Sequence, residues 1–171
     1  MLLLEMLNFE SKYKIEQHIK NLGIPHTIIG PTFFMESLLG PGLEQSQLAL
    51  PLSLSSILQQ SALQNIAEFS ALVLERRKPF LQKRIDIASD EVTGEQAARI
   101  LSNVLRYKIK YVQVPLEQVY QANEDMARMY EWYEKVGTGI NISALHQKYP
   151  EVRWLTFRDW AKYHKLGRLF Q

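Results

Sequence analysis

An α/β protein built on parallel strands is the fold class this sequence predicts, and three observations predict it. Helical and extended patterns alternate along the chain, the extended segments are short and rich in β-branched residues, and helices separate them. The order reads helix, strand, an irregular stretch, then helix, strand, helix, strand and two closing helices. Strands joined through helices pair in parallel. A parallel sheet seldom opens on a helix with so few strands behind it, so the chain reads as the later part of something larger.

Each element has a local cause. Residues 10–22 place Ile15, Ile19 and Leu22 on one helical face, and Gly23 with Pro25 ends that helix. His26-Thr27-Ile28-Ile29 is a brief strand stopped by Gly30-Pro31. Residues 33–39 are compact and apolar, a helical turn or two that ends at Gly40-Pro41-Gly42. Short strands are expected at 47–52 and 57–60, around a serine-rich turn. Leu63, Ile66, Phe69, Ser70, Val73 and Leu74 give a helix that stops before Pro79. Arg84-Ile85-Asp86-Ile87-Ala88 alternates with period two, as a strand does. Thr93 and Gln96 form a capping box ahead of an apolar stripe, Ala97, Ile100, Leu101, Val104 and Leu105. Residues 110–114 are a strand closed by Pro115, residues 116–136 one long helix capped by Gly137. Thr156 with Asp159 opens a last short helix that buries Phe157, Trp160 and Ala161.

Composition sets the outer bounds. The 171 residues are 46% hydrophobic and 22% charged, which fits a soluble globular domain. Net charge is +2, too balanced for a nucleic-acid face. No cysteine is present, which removes disulfides, thiolate metal sites and thiol nucleophiles. MLLLEML is too short and too acidic for a signal peptide, and no run of about 18 apolar residues exists to span a membrane. The expected location is the cytoplasm.

The residues carry few chemical motifs. No three of the eight glycines fit a phosphate-cradling loop. His18, His26, His146 and His164 are scattered without metal-ligand spacing. No nucleophile elbow exists. The acids Glu124, Asp125, Glu131 and Glu134 share a helix with Arg128 and Lys135, the pattern of a solvated face with i, i+4 pairs. Tyr130, Trp132, Tyr133, Tyr149, Trp154 and Trp160 suit a pocket or, more often, the rim of a core. Lys12 sits near a helix N-terminus, against the macrodipole. Spacing alone makes it a solvated lysine of an amphipathic helix.

A series of blocks adds a sharper reading. These are Phe9-Glu10-Ser11-Lys12, Ile15-Glu16-Gln17-His18-Ile19, Gly23-Ile24-Pro25-His26-Thr27-Ile28-Ile29 and Pro31-Thr32-Phe33-Phe34-Met35-Glu36. Ile85-Asp86-Ile87-Ala88-Ser89-Asp90, Thr93-Gly94-Glu95-Gln96, Tyr111-Val112-Gln113-Val114-Pro115, Met129-Tyr130-Glu131-Trp132-Tyr133 and Tyr149-Pro150-Glu151-Val152 follow in order. Over residues 8–164 the chain resembles the NmrA-like branch of the atypical short-chain dehydrogenases.

That resemblance implies the C-terminal part of a Rossmann-like parallel sheet plus a small α+β substrate or lid subdomain. The N-terminal nucleotide-binding half, on the order of a hundred residues with the glycine-rich motif, would be missing. Residues 1–30 would be the remnant of the Rossmann domain, and 31–171 the C-terminal subdomain, with Rossmann elements returning near 57–90. Intact relatives would bind NAD(P) and reduce small carbonyl or quinone-like substrates; the alternative is a redox-sensing or regulatory module without dinucleotide affinity. Lys12 falls where the family's lysine contacts the nicotinamide ribose, as both a catalytic and a cofactor-binding residue. Pro31, Thr32, Phe33 and Phe34 resemble the loop beside the nicotinamide, with Phe34, Met35 and Glu36 toward substrate. Asn8 stands where catalytic dehydrogenases have Tyr, Gly30 where Arg usually precedes Pro-Thr, Ser37 where Asn is common, and Asn65 where Asp is usual. The expected partners are a complementing N-terminal half or a second copy, with no dinucleotide bound by this chain alone.

Overall fold

The structure, a computed structural model, describes residues 7–40 and 42–163. The segment MLLLEM, Pro41, His164 and Gly167, and the side chain of Asn8, lie outside the described residues.

Helix α1 (Leu7–Asn21) leads to strand β1 (Thr27–Pro31), through Gly23 at φ +64, the left-handed turn expected there. Strand β2 (Phe33–Phe34) runs into a 3-10 turn at Met35–Leu38, followed by β3 (Gln47–Leu50) and β4 (Ile57–Ser61). Helices α2 (Leu63–Glu75) and α3 (Arg77–Phe80) precede β5 (Lys83–Ile87) and β6 (Asp90–Thr93). Helix α4 (Gly94–Leu105), strand β7 (Lys110–Gln113) and helices α5 (Leu116–Ala122), α6 (Glu124–Lys135), α7 (Ile142–Lys148) and α8 (Phe157–Tyr163) complete the order.

The described strands form small separate sheets. β1 pairs with β5 in parallel, Thr27 opposite Lys83 through Pro31 opposite Ile87. β3 pairs with β7 in parallel. β2, β4 and β6 form a third sheet in which β2 and β4 are parallel but β4 and β6 are antiparallel. That last pairing departs from the all-parallel expectation. β6 follows β5 after only Ala88 and Ser89 and crosses to the neighbouring sheet, where it lies beside β4.

One more expectation gives way to local chemistry. The single helix expected over 116–136 breaks at Asn123, whose backbone is extended and whose Oδ1 accepts from the Met126 amide at 2.9 Å. An asparagine followed by Glu124 and Asp125 is an N-cap with acids in the first turn. Asn141 starts α7 in the same way, accepting from the Ala144 amide at 2.9 Å. Both capping sites read from sequence hold. Thr93 and Gln96 make the reciprocal pair, while the Thr156 hydroxyl accepts from the Asp159 amide at 3.1 Å and donates to the Asp159 carboxylate at 2.7 Å.

Two apolar cores result. The larger gathers Met35, Leu58, Leu101, Phe157 and Trp160 among α4, α8 and the β2–β4–β6 sheet. The smaller packs Phe69, Phe80, Ile87 and Val152 beneath the β1–β5 pair, with Tyr149 set edge-on to Phe69 at 5.0 Å. On α2 the buried positions are Asn65, Phe69, Leu72 and Val73, while Leu63 and Leu74 face outward. No described helix is long and apolar enough to cross a membrane.

Candidate functional site

Ligand crevices of α/β sheets lie beyond the C-terminal ends of parallel strands. β1 ends at Pro31, and the chain there is fixed by buried hydroxyls. The amide of Thr32 donates to Ile87 O and to Ser61 Oγ, both at 3.2 Å. Ser61 donates its own proton to Ile87 O at 2.9 Å, so the Thr32 hydroxyl donates to Ser61 Oγ at 2.9 Å. This network joins the β1–β5 pair to the neighbouring sheet and spends the hydroxyl of Thr32.

A cleft of about 1080 Å³ opens between that strand end and α1. One wall is β1 with Pro31, Thr32, Phe33 and Phe34; the other is the stripe Phe9, Lys12, Glu16 and Ile19 of α1. The expected inner face of α1 differs in part. Ile15 stands 59% exposed although it lines the cleft beside Phe9, Lys12 and Glu16, and Leu22, just past the end of α1, stands 56% exposed. Lys12 is exposed, with its amine 5.9 Å from the Phe9 ring centre. Phe33 is buried edge-on to Tyr133 at 6.1 Å, whereas Phe34 is 40% exposed at the mouth.

Met35 and Glu36 do not join them. Met35 is fully buried in the larger core. Glu36 turns the other way: its carboxylate accepts from the Leu63 amide at 3.2 Å, capping α2, and from Trp160 Nε1 at 2.8 Å. The cleft wall therefore ends at Phe34, with Ser37 beyond the turn.

Sequence reasoning passed over one charged group. Arg84 of β5 lines the cleft and reaches across β1, bonding Glu16 of α1 and, at 2.7 Å, Asp86 Oδ1. Burial works against its charge, yet the two carboxylates hold its pKa above the ordinary arginine value. The signal was a glycine facing a period-two strand. A Cβ at Gly30 would overlap Asp86 Oδ1 and come within 2.6 Å of Arg84 Nη2. Tyr133, also on the wall, is pushed up to about 12 by burial and keeps its proton at neutral pH. Among the described residues no three His, Asp or Glu converge to hold a metal.

Parallel strands, flanking helices and a cleft at the strand ends define an α/β protein of the Rossmann kind. The NmrA-like family profile matches residues 3–164, and the chain belongs to that family. Solved structures agree on the fold. A nucleoside-diphosphate-sugar epimerase from Staphylococcus aureus superposes with TM-score 0.72 at 18% identity, covering 86% of this chain and 55% of its own. Leucoanthocyanidin reductase from Vitis vinifera, in a ternary complex, gives TM-score 0.72 at 14% identity over 95% and 62%. NmrA, a negative transcriptional regulator in complex with NADP, gives 0.66 at 15% identity over 88% and 56%. The chain thus spans between half and two thirds of the length of these structures. No curated protein matches it.

Proposed function

We propose that this chain forms the nicotinamide side of an NAD(P)-dependent reductase site acting on small carbonyl or quinone-like substrates. The single observation that carries the reading is the cleft, which sets Lys12 opposite Pro31, Thr32, Phe33 and Phe34 at a parallel strand end. The residues fit one end of a dinucleotide and not the other. An apolar wall with Lys12 beside it suits a nicotinamide and its ribose. A pyrophosphate asks for a glycine turn at a helix N-terminus, and none of the described residues lining the cleft supplies one.

The bound dinucleotide would supply the hydride. The chain's own residues divide the remaining work. Lys12 would donate to the ribose hydroxyls, Phe33 and Phe34 would shield the nicotinamide from water, and Thr32, locked by Ser61, holds the strand end. Among the described residues the ladder of β1 runs to β5 alone, which leaves its other edge for a strand of the completing half.

Calorimetry with NADPH tests this. The chain alone is expected to show no binding, and the chain joined to a glycine-motif half of the same family to bind at micromolar concentration. Lys12→Ala should then weaken binding about tenfold, or ~1.4 kcal/mol. Micromolar one-to-one binding by the chain alone would show that the phosphate site is built differently. Binding by the joined form that ignores Lys12→Ala would remove Lys12 from the site.

A further inference from the structure

We propose that Arg84 is the positioning residue of the cleft: by bridging Glu16 of α1 and Asp86 of β5 over the bare backbone of Gly30, it sets where α1 and Lys12 stand against β1. The argument begins with how little else anchors α1. Its apolar residues Leu7, Tyr13 and Ile15 are more than half exposed, at 73%, 53% and 59%. A helix so lightly buried takes its orientation from a few specific contacts.

The bridge has the geometry for that task. Arg84 lies opposite Ile28 in the ladder and Asp86 opposite Gly30, so both reach over β1 from the adjoining strand. Arg84 spends separate nitrogens on the two carboxylates, Nη1 on Glu16 and Nη2 on Asp86. Glu16 keeps only 16% of its side chain exposed, which makes this more than a loose surface pair. Glu16 and Lys12 are one helical turn apart on the same stripe. Fixing the carboxylate of one fixes the azimuth of the other. Gly30 is the enabling residue, since any Cβ would occupy the space of the bridge. The inference gains its functional meaning from the reading of Lys12 above, but its geometry does not depend on it.

The test uses the full chain without cofactor. Hydrogen exchange is read at α1 against α4, and acylation of the Lys12 amine is read against Lys14, which faces Glu10 on the same helix. Arg84→Met removes the cation, Gly30→Ala keeps every charge but displaces the bridge, and Glu16→Gln alters only the helix side. In all three, α1 exchange should rise roughly fivefold with α4 unchanged, and Lys12 should be acylated faster relative to Lys14. Arg84→Lys, which reaches one carboxylate at a time, should recover part of both effects. Wild-type exchange and labelling in Arg84→Met and Gly30→Ala would overturn the proposal. If either variant loses protection across α4 as well, Glu16→Gln decides, and its wild-type behaviour overturns it equally. Because no arm uses NADPH, a failed cofactor titration leaves this result standing, and the reverse also holds.

Discussion

Helices α1 and α4 carry the same kind of sequence pattern and meet opposite fates. α4 opens on a reciprocal capping box and buries Ala97, Ala98, Leu101 and Leu105 against α8, β3 and β7. α1 is longer, 15 residues against 12, yet leaves Tyr13 and Ile15 more than half exposed. Periodicity identifies a helix but does not say what covers it. The stripe of α4 finds its partners within the described chain. That of α1 faces β1 across the cleft, with one arginine bridge and the Phe9–Trp132 ring contact at 5.9 Å. The packed side of the molecule holds the fold, and the lightly covered side forms the cleft.

The contrast breaks or holds first on paired truncations. Leu101 is fully buried, so Leu101→Ala removes transfer free energy and leaves a cavity, at about 3 kcal/mol. Ile15→Ala on α1 should cost about 0.5 kcal/mol or less, as surface changes do. Denaturant unfolding of both variants measures the difference. Equal costs would mean that α1 is as well covered as α4.

Asn65 sharpens the picture within the packed side. Its Nδ2 donates to Arg153 O at 2.8 Å and its Oδ1 accepts from the Leu155 amide at 2.9 Å, tying α2 to the segment that leads into α8. Sequence reading ranked this position as a weakened polar site because the family usually has Asp there. The structure gives both ends of the amide a partner. Asn65→Asp loses the donor and buries a carboxyl group, which should cost about 1–3 kcal/mol in unfolding free energy. An unchanged midpoint would show that the segment 153–155 is held by other means.

The same residue shows what a sequence makes legible. The strand around Ile85, the stripe of α4 and the caps at Thr93 and Thr156 depend on neighbours within a few positions, and each was readable. The partners of Asn65 are backbone atoms 88 and 90 positions away, and no side-chain pattern announces them. Met35 and Glu36 point away from the cleft for a related reason. One 3-10 turn carries the chain from the mouth at Phe34 into the core, so adjacency to the site did not mean membership of it. The arginine bridge was half visible, in a glycine beside a charged period-two strand, but its register was not.

The smallest expected effect concerns the seam between α7 and β5. His146 stacks on Trp154, with ring centres 4.6 Å apart and planes 8° apart, and its Nε2 lies 3.2 Å from Ala88 O. Burial lowers its pKa below the ordinary 6.5, and the Ala88 carbonyl and Asp90 only partly oppose that shift. The unfolded chain therefore binds the proton more readily than the folded one. Stability from this group is complete above 6.5, declines as pH falls through 6.5, and levels off once pH lies below the folded value. His146→Gln keeps an amide donor for Ala88 O and removes the titration. Unfolding free energies of the two proteins, measured across that window, should converge as the pH is lowered, with the variant's curve flatter. Parallel curves would mean that the imidazole is equally easy to protonate in both states. The aromatic stack would then be a surface contact, and the packed side of the molecule would end at Trp154.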